Sequence, residues 1–286
     1  MATRFWDHGA ATGNLGTAAN WSADTVPVAN DIAWFEGITS GGDITLGLTA
    51  LNNATLTGNL DAVYISAAAT YKFGSATAYV ELGTDECEIG FWRRQGSRPN
   101  GSPRIKLDFG SQATECRVYG TAGTTTDTNL EPCRLLFNSG TARLDVFSPQ
   151  VQSRVGVATT DPAETSTLGT LNVDGLNAGV TCGPGVTLTT ANVYAGNALL
   201  QSAPTNAYAY GGTIKIAAYT GTVTNAKVGA GATLDISGSN LTFTNAIELD
   251  DGATLNAKGF TGSLSGKIKL MQSGAVTILT DAEVTI

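Results

Sequence analysis

The feature that most constrains this chain is a repeated octapeptide: "GATLDISG" starts at Gly231 and "GATLNAKG" at Gly252. The spacing continues in both directions, with "GTIKIAAY" from Gly212 and "GAVTILTD" from Gly274. A second apolar series lies between the copies and keeps nearly the same step: "TVTNAKVG" from Thr222, "TFTNAIEL" from Thr242 and "SLSGKIKL" from Ser263. Two interleaved series sharing one period mark a repeat architecture.

A period of about 20 residues, holding two or three short strands of alternating polarity, is the length of one β-solenoid coil. One coil cannot bury its inner face alone, so coils stack at about 4.8 Å, the spacing of hydrogen-bonded strands. Alternation turns Leu234 and Ile236 inward and Thr233 and Asp235 outward. The next coil then places Leu255 beneath Leu234 and Asn256 beneath Asp235. The glycines that start the copies, with "GAG" at Gly229 and "DDG" at Asp250, supply the backbone freedom of corners. The same grammar recurs upstream in "TLGTLNVDG" from Thr167, "GVTLTTANVYAG" from Gly185 and the alternating stretch from Ile44, which predicts roughly seven to ten coils in all. No window of about 12 residues has helical spacing. The predicted fold is all-β: a single-stranded, right-handed parallel β-helix, the right hand following the usual bias of parallel crossovers.

A solenoid leaves rows of unpaired backbone groups at its ends, which need covering. The aromatic-rich start, with Phe5, Trp6, Trp21, Trp34 and Phe35, is the predicted cap or docking segment, over residues 1–40. Residues 41–86 are predicted as the first coils and 165–286 as the regular solenoid. Between them, over 87–164, the period fades while Pro99, Pro103, Pro132, Pro149 and Pro162 accumulate, which predicts an irregular, Arg/Pro-rich lateral region with long loops. All nine arginines lie in the part of the chain that ends at Arg154. "FWRRQGSRPNGSPRIKLDFG" from Phe91 gathers several of them beside a tryptophan. Arg and Trp are the residues most enriched at binding hot spots, and long loops on rigid scaffolds are commonly functional. The predicted partner contacts are Arg93, Arg94, Arg98 and Arg104, with Trp6, Trp21 and Trp92. A basic loop on a chain of net charge −8 suits an acidic protein surface.

That net charge argues against nucleic acid as the partner, since phosphate binding needs a basic surface. No apolar run is long enough to span a membrane as a helix, and the opening "MATRFWDHGAATGNLG" lacks the pattern of a secretory signal, so synthesis and assembly in a cytoplasm are expected. Cys87, Cys116, Cys133 and Cys182 have no C-x-x-C spacing and one histidine for company, so reduced, packed thiols are expected and a zinc site is not. "NWS" at Asn20 matches a glycosylation sequon that this context does not favour. His8, the single histidine, has no serine or cysteine motif near it, and the Gly-rich tracts lack the strand-to-helix setting of phosphate loops. Parallel β-helices often cleave polysaccharides, which needs paired carboxylates. The candidates Asp235, Glu248, Asp250 and Asp251 are better explained as outward positions and turns, Asp235 giving way to Asn256 one coil on. No catalytic residue, cofactor or metal is expected, and the chain is not expected to be an enzyme.

Two stretches carry a resemblance. "NWSADTVPVANDIAWFEG" from Asn20, with its Asn-Trp, a later Pro and an Asp leading into an apolar strand, resembles the opening of many β-solenoid proteins encoded by tailed bacteriophages and prophages. "DPAETSTLGTLNVDGLNAGVTCGPGVTLTTANVYAG" from Asp161 is similar to the repeat region of that group. The resemblance implies a virion component assembled in the host cytoplasm, with no catalytic residues to carry over. The role expected is a capsid decoration or cement protein that binds the major capsid protein, alone or as a homo-oligomer, and works by adding buried contact area across coat-subunit seams. The alternative is a tail fibre, tailspike or other receptor- or glycan-binding β-helix. For a fibre a longer chain, heptad segments for trimerisation or an exposed aromatic ladder is expected, and the chain offers at best Tyr194, Tyr208, Tyr210 and Tyr219, so decoration is the better reading.

Overall fold

The computed structural model describes residues 1–36, 44–45, 59–66, 72–74, 78–91, 105–119, 133–147, 152–156, 164–272 and 274–281. It is all-β apart from two short 3-10 turns, Ala18–Asn20 and Ser22–Asp24. The strands pair in parallel, coil upon coil, as a β-solenoid requires. Two compact units are formed, Met1–Leu144 and Asp145–Ile286.

In the second unit the coils build three stacks. The first stack follows Gln152–Val155, then 179–182 and 197–200, then Thr213–Ile216, Thr233–Asp235, Thr254–Asn256 and Thr277–Leu279. The second runs from 170–173 and 190–193 through Asn206–Ala209, Asn225–Val228 and Ile247–Leu249 to Ile268–Leu270. The third pairs Thr220–Val223 with Asn240–Phe243. Leu255 lies directly beneath Leu234 and Asn256 beneath Asp235, as the repeat predicts. Leu234, Ile236 and Leu255 are buried, while Thr233 and Asp235 are partly exposed on the outer face.

The register corrects the alignment of the repeat at its margins. Ile214, Leu234, Leu255 and Ile278 stack in one line, so the first and last steps are each one position longer than the alignment of glycines suggests. In the second stack Ala226 pairs with Ile247 rather than with Ala246. The inward apolar side chain fixes the register, because a one-residue slip would turn the whole face outward. Corners absorb the difference. Gly231 and Gly252 adopt φ of +72° and +75° with no close contact where a Cβ would sit, so glycine serves conformation there. At Gly212 the reason is space, since a Cβ would lie 2.5 Å from the carbonyl oxygen of Gly196.

In the first unit one stack runs through Thr3–Phe5, Ile32–Phe35, Leu60–Ser66, Thr84–Phe91, Glu115–Val118 and Asn138–Val146. A second joins Val80–Glu81, Lys106–Asp108 and Arg134–Leu136, with Ile44, Phe73 and Ile105 bridged in parallel beside it. The six coils of this main stack and the six in the second stack of the second unit together exceed the number predicted. Within 87–164 the described residues include the strands Lys106–Asp108, Glu115–Val118, Arg134–Leu136, Asn138–Val146 and Gln152–Val155, and the loops expected between them fall outside the described residues. The inner line of the main stack includes Ala33, Val63, Cys87 and Cys116, and beside it Phe35, Ile65, Ile89 and Val118. All four cysteines are buried free thiols. Burial pushes the Cys182 thiol up to about 12. Burial, and then the neighbouring Cys87, raise Cys133 further. Thiols held protonated in this way are packing groups and poor nucleophiles.

Leu234, 1% exposed between two stacked aliphatic neighbours, is a direct test of this register. Leu234→Ala is expected to cost about 2–5 kcal/mol in urea unfolding. Thr233→Ala, on the outer face of the same strand, should stay within about 0.5 kcal/mol.

Candidate functional site

Three surfaces hold the side chains that could carry function. The first is the end of the first unit, where the segment between Phe5 and Ile32 folds over the coils. Trp6 and Trp21 meet edge to face at 5.2 Å, Trp21 meets Phe35 at 5.4 Å, and Phe35 meets Phe73 at 5.1 Å, so the aromatic plug continues into the solenoid core. Asn20 organises the loop above it. Its side chain accepts from the amide of Ala10 and donates to the carbonyls of Thr12 and Asn14 and to the Thr12 hydroxyl, at 2.9–3.0 Å. Its carbonyl accepts from the amides of Asp7 and His8. The Trp21 indole donates to the Leu15 carbonyl at 2.7 Å. Asp31 receives the amides of Ala2 and Val28.

This arrangement corrects one expectation. Trp6 and Trp21, predicted as partner contacts, are 2% and 0% exposed and belong to the core of the cap. Their apolar area is already used within the chain. Asn20 is fully buried with every side-chain group engaged, so the sequon is closed to glycan attachment. Trp92, Arg93, Arg94, Arg98 and Arg104 lie outside the described residues, in the segment that follows Thr84–Phe91.

The second surface is the outer face of the first unit's main stack. Phe5, Trp34 and Tyr64 stand in one line across successive coils, with ring centroids 6.2 and 4.9 Å apart. The line continues with Glu88 and Arg117. Arg117 gathers three carboxylates: Glu86 at 2.7 Å, Glu115 at 2.9 Å and Glu88 at 3.4 Å. Burial pulls the guanidinium down, but Glu86 and Glu115 outweigh it and hold its proton more tightly than usual. Burial, reinforced by the charge of Glu88, raises the Tyr119 phenol. One cation among three carboxylates leaves the patch acidic. Sequence reasoning missed this cluster, although "ECE" at Glu86 and "ECR" at Glu115 repeat one coil apart.

The third surface is a corner of the second unit. Tyr194 and Tyr210 stack with centroids 5.0 Å apart and planes 11° from parallel, and Tyr208 lies 6.2 Å from Tyr210. Tyr194 and Tyr210 are 48% and 42% exposed. Tyr219, the fourth tyrosine expected in a ladder, is exposed but belongs to a different side of the coil, before Thr220–Val223. Three of the four carboxylates weighed as catalytic candidates are engaged on the outer face. Asp235 lies 3.7 Å from Lys215, Asp250 3.6 Å from Lys227 and Glu248 3.0 Å from Lys269. Among the described residues no three His, Cys, Asp or Glu side chains are grouped to hold a metal ion, and no helix is long and apolar enough to cross a membrane.

Comparison of the chain with protein-family models, with curated proteins and with solved structures returned no match.

Asn20→Ala removes one acceptor and the donors to three oxygens in a buried loop and is expected to destabilise the first unit by about 2–4 kcal/mol, seen as early loss of tryptophan fluorescence on heating. A second prediction concerns pH. Asp235 is pushed up by partial burial, but hydrogen bonds from Ser237 and the charge of Lys215 lower it below its ordinary value near 3.8. A carboxyl lowered on folding stabilises above its unfolded value, and the gain is lost as pH falls through the folded value. The stability gap between the native chain and Asp235→Ala should therefore narrow as unfolding is measured below about pH 4.

Proposed function

We propose that the chain is a non-enzymatic structural protein of a tailed-bacteriophage virion, a decoration or cement protein that binds the major capsid protein on the outside of the head. The observation that carries this reading is the way each unit is built: strict alternation separates an apolar inside from an outer face whose side chains are held in register from coil to coil. A surface of this kind loses little entropy on docking, which suits many small contacts repeated over a symmetric shell. The residues that carry the resemblance to phage solenoid proteins support the same reading, because Asn20, Trp21 and Asp31 all serve to close the end of the coils.

The contacts assigned to the coat protein are Arg93, Arg94, Arg98 and Arg104, with Trp92. They follow directly from a strand of the first unit and concentrate positive charge on an otherwise acidic chain. Assembly takes place in the host cytoplasm, where the chain acts singly or as a homo-oligomer.

Co-sedimentation with mature heads stripped of the protein tests this reading. Saturable binding that weakens between low and moderate salt is expected, as screening of exposed charge pairs requires. Changing the four arginines to Ser should leave unfolding unchanged and weaken attachment by about ten-fold or more, the equivalent of about 1.4 kcal/mol. Absence of binding to heads would overturn the decoration role, and full binding by the arginine variant would overturn the assigned contacts.

A further inference from the structure

The corner that carries Tyr194, Tyr208 and Tyr210 has no part in the fold's closure and none in the arginine-based contact. Tyr194 and Tyr210 come from successive coils, directly after Val193 and Ala209, which are paired in register. Their rings are stacked nearly parallel, so each covers one face of the other while the pair as a whole stays close to half exposed. Tyr208 adds its ring beside Tyr210. One coil further on the corner has no long side chain next to Tyr210. Gly229 holds that place because a Cβ there would sit 2.8 Å from the Tyr210 carbonyl oxygen, and only Ala230 follows before Gly231. On that coil Lys227, the register partner of Tyr208, forms a partly exposed ion pair with Asp250 at 3.6 Å.

A stacked aromatic pair bordered on one side by a partly exposed cation and carboxylate matches the chemistry of a sugar ring. A pyranose lays its C–H face on an aromatic ring and directs hydroxyls outward to donors and acceptors at the border. Lys227 donates and Asp250 accepts, and the phenol hydroxyls do both. Burial, and then the neighbouring Tyr194 and Tyr208, raise the Tyr210 phenol, so its donor is retained well above neutral pH.

A protein partner fits the corner less well. A stable protein interface needs about 800 Å² per side with an apolar centre, and the row that holds Tyr208 is otherwise polar, with Asn172 and Asn192 on the coils before it and Lys227 and Glu248 on the coils after it. Leu176, 84% exposed, is a large apolar side chain of the preceding coil.

We infer that the Tyr194–Tyr210 stack, with Tyr208, Lys227 and Asp250 at its border, is a saccharide-binding site. The site is independent of the head contact: it lies in the second unit, and the chain needs no other activity to use it.

The test is saturation-transfer NMR on the full chain with hexasaccharides of glucose, mannose, galactose and N-acetylglucosamine. At least one is expected to bind, with transfer to ring C–H protons. Tyr194→Ala and Tyr210→Ala should each weaken that binding by about ten-fold, while Tyr219→Ala, an exposed tyrosine elsewhere on the coil, should not. Both site residues are exposed, so unchanged thermal unfolding of the variants is expected and checks that the fold survives. Failure of all four sugars to bind, or binding that survives both substitutions, overturns the inference. The same variants tested on stripped heads separate it from the decoration reading. If no sugar binds but Tyr210→Ala loses attachment to heads, the corner is a protein contact, the inference is wrong and the head role stands.

Discussion

Everything in this chain depends on one constraint: an inward apolar side chain must sit directly above its counterpart in the next coil. The backbone ladder alone would tolerate slippage, since parallel strands pair through groups that every residue carries. The side chains do not. Ile214, Leu234, Leu255 and Ile278 hold their line although the chain between them lengthens at each step. The added residues are pushed into corners, where positive-φ glycines such as Gly231 and Gly252 accept them. Corner irregularity is therefore a consequence of regular packing.

Polar residues reinforce the same register where water is partly excluded. Asn206, Asn225 and Asn245 form a ladder in which each amide donates to the one before, beginning at the Thr190 hydroxyl, and Asn192 donates to Asn172 in the same way. A primary amide can donate upward and accept from below at the coil spacing, so stacked asparagines satisfy one another without solvent. Asn20 solves a different problem with the same group. Among the described residues Thr3–Phe5 pairs with Ile32–Phe35 on one side alone, and beside it the Asn20 side chain takes over the backbone groups of the covering loop while Trp21 and Trp6 fill the space beneath.

The second unit was legible in the sequence because its coils have nearly constant length. Leu234 over Leu255 could be read from the letters alone. The first unit was not legible in this way: Phe35, Ile65, Ile89 and Val118 are stacked neighbours, yet the stretch of chain between one and the next differs at every step. No fixed period connects them. Charged residues on the outer positions, such as Glu86, Glu88 and Arg117, further disguised the alternation as irregular chain. The aromatic content of residues 1–40 was visible, but composition could not separate tryptophans packed inside from tryptophans offered to a partner. Enrichment of Trp at interfaces and in cores has the same origin, a large apolar area, and only burial distinguishes them. The tyrosine corner was partly legible. The four tyrosines were visible, but the stacking of Tyr194 on Tyr210 depends on a bulge, where Asp174 pairs with Ala195 and Tyr194 is left over.

The separation of inside from outside has a functional consequence. With a side-chain period of two, each outer residue is flanked in sequence by residues that hold the coil, but shares no packing with them. Outer positions can then change chemistry without disturbing the register, which is why one architecture displays an arginine held among glutamates on one unit and a tyrosine stack beside a lysine–aspartate pair on the other. The arginine still answers to its neighbours, because removing Arg117 would leave Glu86, Glu88 and Glu115 facing one another. Arg117→Met is expected to lose about 1–2 kcal/mol at neutral pH in urea unfolding. The loss should shrink as acid neutralises the carboxylates, whereas a packing defect would persist at every pH. A deficit independent of pH would mean that the arginine stem, rather than its charge, holds this face together.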